Sequence, residues 1–191
     1  MPDTTPRLRA PATPTAPALV LRPWSLADAE GLVALSGDEA LRRWTSFAVD
    51  DASSAVRWLR EQRHAWEQGR RFAFAVEEAR PSAEGQVAGH VVLKDVAPGA
   101  ASAEVGYWTA ARARGRGIAP RALRALSDWT FTTFARTGLT SLTLLHQVDN
   151  TASCRVAEKS GYARTGVLPA KPPAYPLEGH LHLRHLADAP S

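Results

Sequence analysis

A strand-like segment followed by a loop of glycines and arginines has the clearest chemical potential in this sequence. The segment Glu104–Thr109 runs into a loop that contains Gly115 and Gly117, and an amphipathic stretch begins at Ile118. Glycines let the backbone approach a ligand closely, and the first amides of a helix have no intrahelical acceptor. Together with the positive end of the helix dipole, such amides form an anion site. The pattern therefore predicts a site for a pyrophosphate.

The spacing of these glycines differs from that of two common phosphate-binding motifs. A dinucleotide fingerprint requires three glycines at fixed spacing after a first strand, and a Walker loop ends in Gly-Lys followed by Ser or Thr. The loop matches neither motif. Five arginines instead fall in one short segment: Arg112, Arg114, Arg116, Arg121 and Arg124. This local cluster favours a bound anion over a broad basic face, so we expect no nucleic-acid partner.

The elements that must position this loop follow from hydrophobic periodicity and turn residues. Phe72, Phe74 and Val76 alternate with small residues, which predicts a half-buried strand. Further strands are predicted at 18–22, 87–96, 103–109 and 141–146, with two more at the end of the chain. Helices are predicted at 25–35, 38–44, 53–68, 118–134 and 151–159. A meander followed by strand, helix and strand predicts an α/β (α+β) fold with a mixed sheet covered by helices.

Composition indicates one ordinary globular domain. The chain has 191 residues, 45% hydrophobic and 22% charged, with a net charge of +4. We predict a disordered Pro/Thr/Ala-rich tail at 1–17, one domain at 18–187 and a C-terminal tail at 188–191. With no apolar run of ~20 residues and no secretory signal pattern, we expect a cytoplasmic protein without membrane contact. The single cysteine, Cys154, excludes an internal disulfide and a zinc site made of several thiolates.

The loop motif Arg112-x-x-Gly115-x-Gly117, after a strand reading Glu-Val-Gly-Tyr-Trp, resembles the acyl-CoA loop of the GCN5-related N-acetyltransferases (GNAT). The resemblance is closest to the ribosomal-protein N-terminal alanine acetyltransferases of the RimJ and RimL type. It covers Ala18 to about Leu186, and further matching segments lie in the family's order: Leu21-Arg22-Pro23-Trp24, the Trp44 region, Asn150-x-x-Ser153 and Glu158-Lys159-Ser160-Gly161-Tyr162.

This resemblance implies a mostly antiparallel sheet that is splayed between its fourth and fifth strands. It also implies an acyl-CoA-dependent N-acyltransferase that moves an acetyl group from acetyl-CoA to a primary amine by direct attack in a ternary complex. The amine would be a protein N-terminus or a small molecule. The resemblance implies no metal cofactor, and we expect a monomer or homodimer.

The residues implied to bind the cofactor lie on both sides of the splay. Trp108 and Thr109 would offer backbone groups to the pantetheine arm. Asn150 would bind the same arm, with a helix cap as the equal alternative. Ser153 would lie beside it. The pyrophosphate would be held by Arg112, Arg114, Gly115, Arg116, Gly117, Ile118 and Ala119.

Acyl transfer to an amine requires a base, an oxyanion donor and an acid for the leaving thiolate. Glu104 is the predicted base, with an outward-facing salt link as the alternative, and His146 is held in reserve. A backbone N–H near Trp108 would meet the oxyanion. Many relatives carry a tyrosine that acts as the general acid at the position of Ala157. Because this chain lacks that tyrosine, Ser153 becomes the predicted acid.

Several alternatives to these roles stay open. Tyr162 is a weaker substitute acid, and Ser153 could instead satisfy helix amides. Without the usual tyrosine, the chain could be a catalytically weak acyl-CoA-binding regulatory module. His180 and His182 alternate along a strand and could chelate a metal, but the sequence indicates no third ligand, so no metal site is predicted. Four tryptophans belong either to an acceptor pocket or to the core: Trp24, Trp44, Trp58 and Trp66.

Overall fold

Eight strands form one sheet in the computed structural model, which describes residues 6–79, 86–134, 136–173 and 175–186. The strands are β1 Leu8–Ala10, β2 Leu19–Pro23, β3 Phe72–Glu78, β4 Val87–Lys94, β5 Ser102–Thr109, β6 Ser141–Gln147, β7 Ala163–Leu168 and β8 Gly179–His185. Their order in the sheet is β1-β2-β3-β4-β5-β6-β8-β7. Strands β5 and β6 run parallel, and the other neighbours are antiparallel. The predicted fold class is confirmed.

Five α-helices cover this sheet in the described part of the chain. They are α1 Ala29–Val33, α2 Glu39–Trp44, α3 Ala52–Glu67, α4 Ile118–Phe134 and α5 Thr151–Lys159. Short 3₁₀ turns at Leu26–Asp28 and Ala111–Ala113 precede α1 and α4. The bounds predicted for α4 and α5 are confirmed. Among the described residues, no helix is long and apolar enough to cross a membrane.

The prediction of a disordered tail is wrong for Leu8–Ala10, which forms an edge strand. Leu8 pairs with Leu21, and Ala10 is buried. The Arg121 guanidinium, on α4, donates to the carbonyls of Pro11 and Pro17 at 2.6 and 2.7 Å. Leu8 and Ala10 have the two-residue spacing of a strand, but this pattern is too short to stand out within a polar, proline-rich segment. Residues 1–5 and the predicted tail at 188–191 lie outside the described residues.

Helix α4 is anchored by packing while its first turn stays free for a ligand. Leu123, Leu126 and Thr130 are fully buried, as the predicted core-facing stripe requires. The helix packs mainly against β4 and β1. Each buried leucine contributes roughly 1.5–3 kcal/mol relative to exposure. This packing fixes the direction in which the first amides of α4 point.

A buried ion-pair network joins the start of the helical segment to the sheet. Arg22 on β2 binds Asp28 at 2.6 Å and Glu77 on β3 at 2.5 Å. Asp28 also accepts from the backbone N–H of Ser25 at 2.8 Å, which forms a capping box at the start of the predicted helical segment. Burial alone would raise the pKa of Asp28, but the Arg22 and Ser25 hydrogen bonds hold it below its ordinary value. Asp28 is therefore ionised at neutral pH.

We expect Asp28→Asn to lower the free energy of unfolding at pH 7 by about 2–3 kcal/mol, because it leaves Arg22 partly unpaired. A carboxyl whose pKa is depressed by folding stabilises the protein above its unfolded pKa and loses that contribution as pH falls. The difference from the parent should therefore shrink below pH ~4. Urea unfolding at several pH values measures this. Asp50→Asn is the control, since Asp50 forms an exposed pair with Arg42; equal effects of both variants would contradict the account.

Candidate active site

The two parallel strands pair over only part of their length. Strands β5 and β6 are in register from Ser102 with Ser141 to Val105 with Leu144. Beyond this point β5 continues to Thr109 while paired to β4, and β6 continues to Gln147 while paired to β8. Among the described strands, none lies between these two ends. Because the edge strand Leu8–Ala10 was not predicted, β5 and β6 are the fourth and fifth predicted strands, and the sheet opens where the resemblance implied. An extended ligand can enter this opening with its own hydrogen-bonding groups.

The glycine loop lies at the end of this opening and leads into α4. Gly115 and Gly117 have φ values of +75° and +70°, which side-chain-bearing residues rarely adopt. A Cβ added at either glycine would meet open space. The amides of Ile118 and Ala119 belong to the first turn of a 17-residue helix and lack intrahelical acceptors. The loop and helix start therefore present backbone donors and the positive dipole end to an anion.

The arginines around this loop are bound to protein acceptors. Arg112 donates to the carbonyl of Val87, and Arg116 binds Glu78 at 2.6 Å. Arg114 donates to the carbonyl of Thr109 at 3.1 Å and binds Asp38 at 2.5 Å. In this structure these contacts hold the loop in shape, and Gly115, Arg116, Gly117 and Arg121 line the adjacent cleft.

Helix α2 crosses the mouth of the opening. Its N-cap, Asp38, holds Arg114 of the glycine loop, and Arg43 in its last turn binds Asp149 after β6 at 2.9 Å. Burial alone would raise the pKa of Asp38, but Arg114 and the helix amides hold it below its ordinary value. Two ion pairs thus connect α2 to both walls of the splay. Neither ion pair could be predicted from a local sequence pattern, because its two residues lie far apart along the chain.

A family model described as an acetyltransferase (GNAT) domain matches residues 18–163. The chain belongs to the GNAT family. Membership makes it an acyl-CoA-dependent N-acetyltransferase, with acetyl-CoA as the acyl donor. No curated protein gives a significant match.

Solved GNAT structures share this fold over nearly the whole chain. RimJ of Mycobacterium smegmatis, in complex with CoA-disulfide, is 25% identical with a TM-score of 0.78 and covers 100% of this chain and 90% of its own. RimL, a ribosomal L7/L12 alpha-N-protein acetyltransferase in complex with coenzyme A, is 21% identical with a TM-score of 0.76, covering 95% and 99%. The Microcin C7 self-immunity acetyltransferase MccE, in complex with acetyl-CoA and AMP, is 18% identical with a TM-score of 0.75, covering 91% and 98%.

An aromatic cluster supports the wall of the opening that carries Trp108. The Trp108 ring is buried and stacks on His90 with centroids 5.4 Å apart. Trp24 donates from its indole N–H to His90 Nδ1 at 3.0 Å and contacts Trp58 edge to face. Burial lowers the pKa of His90 well below its usual range, so the imidazole is neutral. Trp24 thus belongs to the core, and the bound Nδ1 excludes that nitrogen as a base.

Ser153 forms a hydrogen bond with a residue on the opposite wall. Its hydroxyl lies 2.9 Å from the Tyr107 hydroxyl, which links α5 to β5 across the opening. Burial raises the pKa of Tyr107 to about 12, so this hydroxyl keeps its proton at neutral pH. Asn150 caps α5, since its amide oxygen accepts from the Ser153 backbone N–H at 3.2 Å. Asn150 therefore acts as a helix cap, which was one of its two predicted roles. Its side-chain amide nitrogen can still donate to a ligand.

Glu104 lies before the point where the strands part. It pairs with Thr143 in the parallel ladder, and its carboxylate forms an ion pair with Lys94. Four residues of strand separate it from Trp108, a distance of roughly 13 Å. At this distance, a base role for Glu104 on a ligand at Trp108 would act through an intervening water.

The prediction that Tyr162 serves as a substitute acid is wrong. Tyr162 is fully buried, and its hydroxyl lies 2.7 Å from that of Ser127 on α4. Burial raises its pKa to about 12. A side chain enclosed in the core has no access to a leaving thiolate. The aromatic residue after Gly161 therefore stabilises the packing of α4 against the sheet.

The N-terminal segment and a group of metal-type ligands are two features that sequence reasoning missed. Thr13, Thr15 and Pro17 line a cleft whose other side is the glycine loop. Separately, His146, Cys154, His180 and His182 bring one potential ligand atom each within 4.8 Å of one another. His146 was predicted only as a reserve base, and the histidines had no evident third partner. The contact between β6, β8 and α5 that joins them is visible only in the folded chain.

We expect Gly117→Glu to weaken binding of coenzyme A by at least about 100-fold, because its side chain puts a negative charge in the open space before α4. Isothermal titration calorimetry measures the affinity. The matched control is Gly99→Glu, since Gly99 has a φ of +73° in the turn between β4 and β5 and also faces open space. Both variants carry the same strain and charge, so an equal loss of affinity would contradict the assignment of the loop.

Proposed function

We propose that the protein transfers an acetyl group from acetyl-CoA to a primary amine, on a protein N-terminus or a small molecule, by direct attack in a ternary complex. The observation that carries this proposal is the parting of β5 from β6 directly beside the glycine loop and the start of α4. An acyl-CoA has the matching chemistry, since it joins a diphosphate to an extended arm with amide groups.

In this proposal the diphosphate binds the amides of the glycine loop and the first turn of α4. The pantetheine arm occupies the opening and bonds to backbone groups of Trp108 and Thr109, with Asn150 on the other wall. Arg112, Arg114 and Arg116 act mainly by holding the loop, because each already binds a protein acceptor. The amide near Trp108 stabilises the oxyanion when the amine attacks the thioester carbonyl.

Ser153 is the proposed acid for the departing thiolate. The hydroxyl of Ser153 gives its proton to the sulfur while the Tyr107 hydroxyl, at 2.9 Å, passes its proton to the serine oxygen, and solvent returns a proton to Tyr107 once the thiol has left. Burial raises the pKa of Tyr107 to about 12, so the relay starts from the neutral phenol at neutral pH. This pair takes over the role that a tyrosine would have at Ala157, which is fully buried.

The proposed base is Glu104, acting through water on the incoming ammonium. Its carboxylate is partly exposed and lies on β5, the strand that carries Trp108. The acceptor enters beside the segment between β7 and β8, where Tyr175 and Leu177 expose large apolar side chains. Helix α2 is tied to both walls of the opening by its ion pairs.

Turnover with a panel of amines tests this function. The protein is incubated with acetyl-CoA and either N-terminal peptides or small amines, while release of the CoA thiol is followed. The proposal predicts thiol release that depends on an amine acceptor. Cofactor binding without release by any member of a broad panel would favour a regulatory acyl-CoA-binding module, which the alanine at position 157 makes the second candidate.

We expect Glu104→Gln to lower kcat by about 100-fold, because a base typically contributes 10²–10⁴-fold. Lys94→Met is the matched control, since it breaks the same ion pair and leaves the carboxylate in place. Steady-state rates against pH measure both. If the two variants lose activity equally, Glu104 has only the structural role of a salt link.

We expect Tyr107→Phe and Ser153→Ala each to lower kcat by about 100-fold while the affinity for acetyl-CoA stays near that of the parent. Tyr162→Phe is the control for the tyrosine, since it also removes a buried hydroxyl that bonds to a serine. Single-turnover rates measure the chemical step. Full activity of Tyr107→Phe, or an equal loss in Tyr162→Phe, would contradict the proton relay.

A further inference from the structure

Three histidines and the single cysteine meet on the side of the sheet that α5 covers. His146 lies on β6, His180 and His182 lie on β8, and Cys154 lies on α5. His146 Nε2 is 3.1 Å from His182 Nε2, and the cysteine Sγ is 3.5 Å from His146 Nε2 and 3.1 Å from His180 Nδ1. The proposed acyl transfer uses none of these side chains.

The hydrogen bonds behind two of these rings fix which nitrogen faces the cluster. His146 Nδ1 lies 2.8 Å from the carbonyl of Gln147, and His182 Nδ1 lies 3.4 Å from the carbonyl of Tyr162. A carbonyl only accepts, so each Nδ1 carries the proton and each Nε2 carries a lone pair. Protein metal sites orient their histidines with such backbone partners.

Two lone pairs therefore face each other across 3.1 Å in a partly enclosed site. Facing acceptors repel unless a proton or a cation lies between them. Tetrahedral zinc has bonds of about 2.0–2.1 Å to nitrogen and about 2.3 Å to sulfur. Adjacent ligand atoms then lie roughly 3.3–3.7 Å apart, close to the three distances found here.

We propose that His146, Cys154, His180 and His182 bind one zinc-type divalent ion with three nitrogen ligands and one sulfur ligand. The thiol gives up its proton to solvent when the metal binds, so the site carries a single thiolate. This donor set favours zinc and cobalt over magnesium or calcium, which prefer oxygen ligands.

The place of the ion in the fold gives it a structural role. It joins β6, β8 and α5, three elements on one wall of the opening. Helix α5 also carries Ser153, directly before the cysteine ligand. Acetyl transfer in the family needs no metal. The ion therefore holds α5 against the sheet and takes no part in the proposed chemistry, so this inference does not depend on the proposed function.

Titration of the full-length, chelator-treated protein with Co²⁺ and Zn²⁺ tests the site. Visible absorption of Co²⁺ reports tetrahedral coordination, and a near-ultraviolet charge-transfer band reports a cobalt–thiolate bond. We expect one ion per chain, both spectral features, displacement by Zn²⁺ and a higher melting temperature with the metal. Cys154→Ser should remove the charge-transfer band. Cys154→Ser and His180→Ala should each weaken Zn²⁺ binding by at least about 100-fold. Mutation of a residue that only hydrogen-bonds to a metal ligand already lowers metal affinity about 10–100-fold, and these two residues are ligands themselves.

The control is His64→Ala, since His64 lies on α3 outside the cluster and contacts Gln68. It should bind Zn²⁺ with the affinity of the parent. Cys154 and His180 are half-buried, and circular dichroism verifies that their variants fold. Either of two results overturns the proposal: the folded parent takes up no Zn²⁺ or Co²⁺, or the Cys154 and His180 variants bind Zn²⁺ as tightly as the parent.

Discussion

The parting of two parallel strands is the constraint on which the rest of this structure depends. Strands β5 and β6 share four residue pairs and then separate, each kept in place by a different antiparallel neighbour. Backbone groups that leave a ladder require other hydrogen-bonding partners, and an extended ligand supplies them. Because the loop after β5 leads into α4, the same opening ends at the free amides of a helix. One topological feature thus creates both a slot for an arm and a cradle for a diphosphate.

Side chains around the opening hold it in shape more than they face the ligand. The arginines of the loop bind Val87, Asp38 and Glu78, and α2 is fixed to both walls by ion pairs. Recognition of a diphosphate by backbone amides needs only the positive-φ glycines and an anchored helix.

Local sequence patterns predicted the helices and strands well. Hydrophobic periodicity, helix-capping residues and glycines at helix ends each depend on only a few neighbouring residues. The bounds of α4 and α5 belong to this class. Leu8–Ala10 was missed, since a three-residue edge strand is stabilised by β2 and α4 and by little in its own sequence. The site was predictable where a motif is contiguous, as at Gly115 and Gly117. Tyr107 with Ser153, and His146 with Cys154 and His182, required the fold, because their partners come from different elements.

The central claim is that the amides before and within the first turn of α4 bind the diphosphate of coenzyme A. Titration of ¹⁵N-labelled protein with coenzyme A, followed by amide chemical shifts, measures this most directly. The account predicts that the largest downfield shifts occur at Gly115, Gly117, Ile118 and Ala119, since each N–H gains a charged acceptor. Saturation with coenzyme A that leaves these four resonances unmoved, with shifts confined to other surfaces, would contradict it.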